Sequence, residues 1–136
     1  MIYLDTNVLI YATLSIVDTQ SQQDKAIEIV KNLIGTKTLL LSNLNLLEYA
    51  FVMKKAKEDS DKIESALELF QSFVQDEKRG FNDKLMQILN NDYAFKNSFD
   101  LYHVAFAQDN GCQKLYTFDK GFKKFRDISD IEIVIL

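Results

Sequence analysis

The stretch that decides the fold is Met1-Ile2-Tyr3-Leu4-Asp5-Thr6-Asn7-Val8-Leu9-Ile10-Tyr11-Ala12. Its apolar run Met1 to Leu4 reads as a strand that ends on an acid and turns at once into a helix-like segment, Asn7 to Leu14. Asp5, Thr6 and Asn7 therefore offer a carboxylate, a hydroxyl and an amide at the carboxyl end of that strand. In open α/β sheets this edge is where ligands bind, in the crevice beyond the strand ends.

Working outward, strand and helix patterns alternate, which predicts an α/β fold with a parallel sheet. Ser15 to Gln23 reads as an exposed loop. A helix is expected from Asp24 to about Ile34, with Ile27, Val30, Leu33 and Ile34 on one face and Gly35 past its end. Thr38 to Ser42 reads as a buried strand, and Ser42 or Asn43 as the cap of a helix to about Glu58. Ile63, Ala66, Leu67, Phe70, Phe73 and Val74 fall at helical spacing, and Lys78-Arg79-Gly80 stops that helix. Phe81 suggests a very short strand before a helix over roughly Asp83 to Tyr93. Ser98 reads as the cap of a helix to about Asp109, closed by Asn110-Gly111. Gln113 to Phe118 is an expected strand, Lys120 to Phe125 a helical turn, and Ile131 to Leu136 a last strand.

At 136 residues and 15.7 kDa the chain is expected to be one domain, 1–136, with a sizeable core. No apolar stretch approaches the roughly 20 residues of a membrane helix, and the N-terminus does not resemble a signal peptide, so a cytoplasmic protein is expected. Cys112 is the single cysteine. It excludes an internal disulfide and a cysteine-rich zinc site, and it suits a reducing compartment. A net charge of −4 argues against a generic nucleic-acid coat. It leaves open an enzyme that meets a polyanion through metal ions.

Four acids carry the chemistry: Asp5, Glu48, Asp100 and Asp119. Singly, most have ordinary roles. Asp5 would serve as a helix cap, Asp100 favours a first helical turn, and Asp119 in Phe118-Asp119-Lys120-Gly121 would pass as a turn. Glu48 differs, because its helical neighbours Leu44, Phe51 and Val52, with Leu47 beside it, place it in an apolar stripe, either as a charge that needs a partner or at the stripe's edge, reaching solvent or a lysine. Together the acids are more telling. Asp5 and Asp119 end strands, and Glu48 and Asp100 lie in early helical turns, so a parallel sheet gathers them on one edge. Clustered carboxylates repel and raise one another's pKa, and a hard divalent cation removes that repulsion.

The segments LDTNVLIYA, LNLLEYAFV, SFDLYHVAFAQDNGC and YTFDKGFKKF resemble those of PIN-domain ribonucleases, especially VapC-type toxins of prokaryotic toxin–antitoxin pairs. The resemblance covers essentially the whole chain. It implies a three-layer α/β/α arrangement around a mostly parallel sheet. It also implies one or two Mg²⁺ or Mn²⁺ ions and endonucleolytic hydrolysis of RNA by in-line attack of water, without a protein nucleophile. By that resemblance Asp5, Glu48, Asp100 and Asp119 are the catalytic metal-binding acids, and Asn7 and Thr117 are supporting polar positions. A homodimer and a silencing antitoxin protein are implied as well. Tyr102 and His103 depart from the family's small and aliphatic residues and are expected to alter the site rim. A lone helical histidine is expected on the surface or in packing, so His103 is read as neither ligand nor general base.

Lys120, Lys123, Lys124 and Arg126 follow the last acid and are candidate contacts to RNA phosphates, or simply a solvated face. Four other readings compete, one of them cleavage of DNA by the same metal chemistry. A haloacid-dehalogenase-type phosphotransferase needs a second acid two residues after the first, where this chain has Asn7. A stand-alone RNA-processing nuclease of the same family uses the same acids. A catalytically silent PIN-like binding module has no need of them.

Overall fold

Adjacent residues on the first strand face opposite ways, and an apolar layer covers each side. The structure, a computed structural model, describes residues 1–90 and 98–136. Its elements are β1 (Ile2–Leu4), α1 (Thr6–Thr13), α2 (Gln20–Gly35), β2 (Leu39–Leu40), α3 (Asn43–Lys55), α4 (Ser60–Gln71), α5 (Phe81–Leu89), α6 (Ser98–Asp109), β3 (Lys114–Thr117), a 3₁₀ segment (Lys120–Asp127) and β4 (Glu132–Ile135). The strands are all parallel, in the order β2-β1-β3-β4. Ile2 pairs with Leu39 on one side and Lys114 on the other.

The period of two in a strand sorts the core. Leu4, Leu39 and Leu41 join Val8, Leu9, Ala26, Val30, Tyr49, Met53 and Phe70 on one face of the sheet. Tyr3, Leu40, Leu115 and Ile133 join Phe81, Leu101, Phe106, Phe122 and Phe125 on the other. Strands buried on both faces read as continuous apolar runs rather than alternations. The result is the expected α/β/α arrangement around a parallel sheet. Among the described residues no helix is long and apolar enough to cross a membrane.

Local chemistry explains the departures from expectation. α2 begins at Gln20 rather than Asp24, because Gln23 donates to the carbonyls of Tyr11 and Leu14, and Gln20 donates to Gln23 and Asp24. Those bonds draw polar residues expected in a loop into the first helical turn. Phe81 belongs to no strand. It opens α5 after Gly80, whose φ of 85° suits glycine. The additional parallel bridge joins Leu41 to Val74, a residue expected in the preceding helix. Ser42 caps α3 through a reciprocal box with Asn45. α6 begins at Ser98 itself, and the expected run of α5 from 91 to Tyr93 lies outside the described residues.

The face of α3 is also shifted from its expected register. Its buried residues are Asn45, Tyr49 and Met53, spaced four apart, whereas Leu47 and Phe51 are about 70% exposed at 69% and 70%. Tyr49 meets Phe70 edge to face with ring centroids 5.3 Å apart. Phe70 is thus the anchor of α4. Replacing Phe70 by Ala is expected to cost about 3–5 kcal/mol, read as a lowered urea midpoint with little change in slope.

Candidate active site

The order β2-β1-β3-β4 places a topological switch point between β1 and β3, where the chain leaves β1 toward opposite sides. Asp5 follows β1 there as the cap of α1. One of its oxygens accepts from the Thr6 amide at 2.7 Å, and the other accepts from the Thr117 hydroxyl at 2.7 Å. Thr117 ends β3, is fully buried, and accepts from the Asn7 side-chain amide at 3.2 Å and the Asp119 backbone N–H at 2.9 Å. Asn7 in turn accepts from the Phe118 backbone N–H at 3.3 Å. Asp119 caps the 3₁₀ segment by accepting from the Gly121 amide at 2.7 Å.

From the α3 side, Thr6 donates its hydroxyl to Glu48 Oε1 at 2.7 Å and accepts from Asn45 at 3.0 Å. Asn45 also donates to the Leu4 carbonyl at 3.1 Å, which fastens α3 to the end of β1. Glu48 is not the buried charge of an apolar stripe. Its side chain is 28% exposed and so reaches solvent at the stripe's edge, and among the described residues it is held by Thr6 and His103 rather than by a lysine. The neighbours that suggested the stripe, Leu47 and Phe51, point to solvent.

Sequence reasoning placed His103 on the surface or in packing, outside the chemistry. It is 1% exposed, and its Nε2 lies 2.5 Å from Glu48 Oε1 and 4.0 Å from Asp5 Oδ1. Its Nδ1 lies 2.5 Å from the Tyr3 hydroxyl, which in turn meets Ser42 Oγ at 2.8 Å. Tyr102 turns elsewhere: its hydroxyl donates to Glu77 at 2.6 Å and its ring stacks on Phe106. A usable signal for His103 existed, since residues three apart share a helix face and His103 follows Asp100 by that spacing. Thr6 and Ser42 were named only as a hydroxyl at the strand end and a helix cap, and Tyr3 and Asn45 were missed because the partners that tie them to the site lie across the fold.

The acids feel one another. Burial, then the charges of Asp5 and Asp119, push the Asp100 carboxyl up to about 6, against the smaller pull of His103 and Lys124. Burial likewise raises Asp5, with Glu48 adding to it, while His103 and the Thr117 hydrogen bond oppose. For Glu48, burial is outweighed by the hydrogen bond and charge of His103 and by the bond from Thr6, which leave it below the ordinary range. Asp5, Asp100 and Asp119 thus share one electrostatic neighbourhood.

A model for the PIN domain matches residues 2–128. The chain belongs to the PIN-domain family. Solved structures repeat the fold. VapC20 of Mycobacterium tuberculosis, described as a toxin that cleaves the sarcin–ricin loop, is 19% identical, with 93% of this chain and 95% of that chain covered and a TM-score of 0.68. VapBC2 of Rickettsia felis, bound to a DNA fragment from its promoter, is 21% identical, with 100% and 99% covered and a TM-score of 0.70. FitAcB of Neisseria gonorrhoeae is 20% identical, with 98% and 96% covered and a TM-score of 0.67. No curated protein matches the chain by sequence.

Among the described residues no three His, Cys, Asp or Glu side chains stand close enough together to form a ready-made metal site. The donor chemistry of this PIN domain nonetheless fits a hard cation. Its acids offer carboxylate oxygens, and the repulsion by Asp5 and Asp119 that adds to burial in lifting Asp100 is what a divalent charge would relieve. The same shift fixes a sign for the metal-free protein. The folded state holds a proton on Asp100 that the unfolded chain, at an ordinary 3.8, releases. Stability therefore falls as pH rises through the interval up to about 6, and the penalty is fully present above it. Asp100→Asn is expected to raise the melting temperature in EDTA at pH 8, with the gain shrinking to nothing near pH 4.

Proposed function

We propose that this PIN domain is an endoribonuclease that hydrolyses RNA phosphodiester bonds at a Mg²⁺ or Mn²⁺ centre built from Asp5, Glu48, Asp100 and Asp119, and that it is the toxin of a toxin–antitoxin pair. The observation that carries the reading is the coupling of Asp5, Asp100 and Asp119 at the switch point of the sheet. Asp5, Asp100 and Asp119 would be the principal ligands, and Glu48 would serve a second ion or orient the attacking water. One or two ions bound there would supply the positive charge that phosphodiester cleavage needs at the attacking and departing oxygens. Asn7 and Thr117 hold Asp5 and the turn before Asp119 in place.

The basic candidates divide. Lys124 is near enough to lower the Asp100 pKa, which supports it as a contact to a scissile-strand phosphate, and its ammonium lies 5.2 Å from the centre of the Phe125 ring. Lys120 and Lys123 are exposed along the same segment. Arg126 donates to the Ile133 carbonyl at 3.1 Å and serves the fold at least as much as RNA.

VapBC and FitAB complexes among the similar structures support an antitoxin partner. The exposed pair Leu47 and Phe51 on α3 offers apolar surface that a second copy or an antitoxin segment would cover. RNA as substrate places the work of the protein in the cytoplasm.

The test is cleavage of a defined pool of structured RNAs by purified protein with Mg²⁺ or Mn²⁺, and with EDTA. Cutting should require the metal and fall to background in Asp5→Asn, whose circular dichroism should stay native because Asn caps a helix as well as Asp. Metal-independent cutting, or an Asp5→Asn protein with full activity, would contradict the reading. Lys124→Ala should weaken RNA binding and lower the slope of log affinity against log salt by about 1.

A further inference from the structure

The geometry points to His103 as a positioning residue: a buried chain of hydrogen bonds, Ser42–Tyr3–His103, fixes the Glu48 carboxylate so that one oxygen is presented to the site. This inference rests on the reading of the acids as a metal centre and adds residues that the four-acid pattern does not contain.

A glutamate on a partly exposed helix face has rotatable bonds to spare and would otherwise sample solvent. Here both protein hydrogen bonds to Glu48 fall on the same atom. Oε1 accepts from Thr6 at 2.7 Å and from His103 Nε2 at 2.5 Å, and Oε2 has no hydrogen-bond partner among the described residues. The carboxylate is therefore anchored by one oxygen and free at the other. Because an ionised carboxylate only accepts, the proton on the ring facing it is assigned to Nε2. On its other side Nδ1 meets the Tyr3 hydroxyl, with Ser42 behind it.

The chain closes on itself. Ser42 is the cap of α3, α3 carries Glu48, Glu48 meets His103, and His103 returns through Tyr3 to Ser42. Three elements are tied by it: β1 through Tyr3, α3 through Ser42 and Glu48, and α6 through His103. α6 also carries Asp100 one turn before His103, so the ring that holds Glu48 belongs to the helix that delivers another of the acids. The same Nε2 stands 4.0 Å from Asp5, at the meeting of the acids from β1 and α3. Partners that orient metal ligands from behind commonly matter 10–100-fold in affinity or activity.

His103 is the sole histidine of the chain, so its ring nitrogens give an unobstructed NMR signal in untagged protein. In ¹⁵N-labelled wild type, a proton on Nε2 is expected, with a marked ring shift in Glu48→Gln. Mn²⁺ affinity and cleavage kinetics are then compared for wild type, His103→Leu, His103→Gln and Tyr3→Phe, each checked for native circular dichroism. His103→Leu should weaken Mn²⁺ binding and lower kcat, each roughly 10–100-fold, with KM for RNA little changed. His103→Gln, which still donates to Glu48, should recover most of the loss, and Tyr3→Phe should fall between. A merely structural histidine would shift melting temperature and leave affinity and kcat alone. If His103→Leu does not fold, Tyr3→Phe decides. A wild type that binds Mn²⁺ and cuts RNA, with unchanged affinity and kcat in the folded variants, overturns the positioning role alone. A wild type that does neither overturns the metal-nuclease reading, and this inference with it.

Discussion

The hydroxyl of Thr117 joins the two strands on which the site is built. It donates to Asp5 and accepts from Asn7 and from the Asp119 amide, so its single donor and both lone pairs are in use. The atom is buried, and an unmade bond there would carry the full desolvation cost. Through it the end of β1, the first turn of α1 and the turn after β3 become one rigid piece. The parallel sheet brings these segments to the same edge, and this hydroxyl sets their spacing.

Around that piece the fold accumulates negative charge that its own basic groups balance only in part. His103 faces Glu48 and Asp5, and Lys124 acts on Asp100, yet Asp100 remains well above the ordinary carboxylate range. A domain selected only for stability would not gather these acids at a half-buried edge. Perturbed, mutually repelling acids at a switch point fit the proposed metal site, where stability would be given up for chemistry. The remainder of the molecule absorbs that cost through two apolar layers, one under α1 to α4 and one under α5, α6 and the 3₁₀ segment.

Much of this was legible in the sequence because it is local. The run Met1 to Leu4, the acid that ends it, and the acids of α3, α6 and the turn after β3 were each readable from strand or helix period. The α/β class and the parallel sheet followed from the same periods. What failed did so where tertiary contacts outvote local pattern. The α3 stripe Leu44, Phe51 and Val52, with Leu47 beside it, looked apolar, but the fold turns Asn45, Tyr49 and Met53 inward, because Asn45 is needed at the Leu4 carbonyl and Tyr49 against Phe70. His103, read as a surface or packing residue because a lone helical histidine usually is one, is buried, but its hydrogen bonds were not foreseen. Its partners Tyr3 and Glu48 lie 100 and 55 residues away, a relation no period encodes.

The measurement that bears most directly on the central claim is anomalous diffraction from crystals of the wild-type protein soaked in Mn²⁺. The account predicts an anomalous peak coordinated by carboxylate oxygens of Asp5, Asp100 and Asp119 at the carboxyl edge of β1 and β3, and its loss in Asp5→Asn crystals. A peak bound elsewhere, or none at that edge in fully soaked crystals, would contradict it.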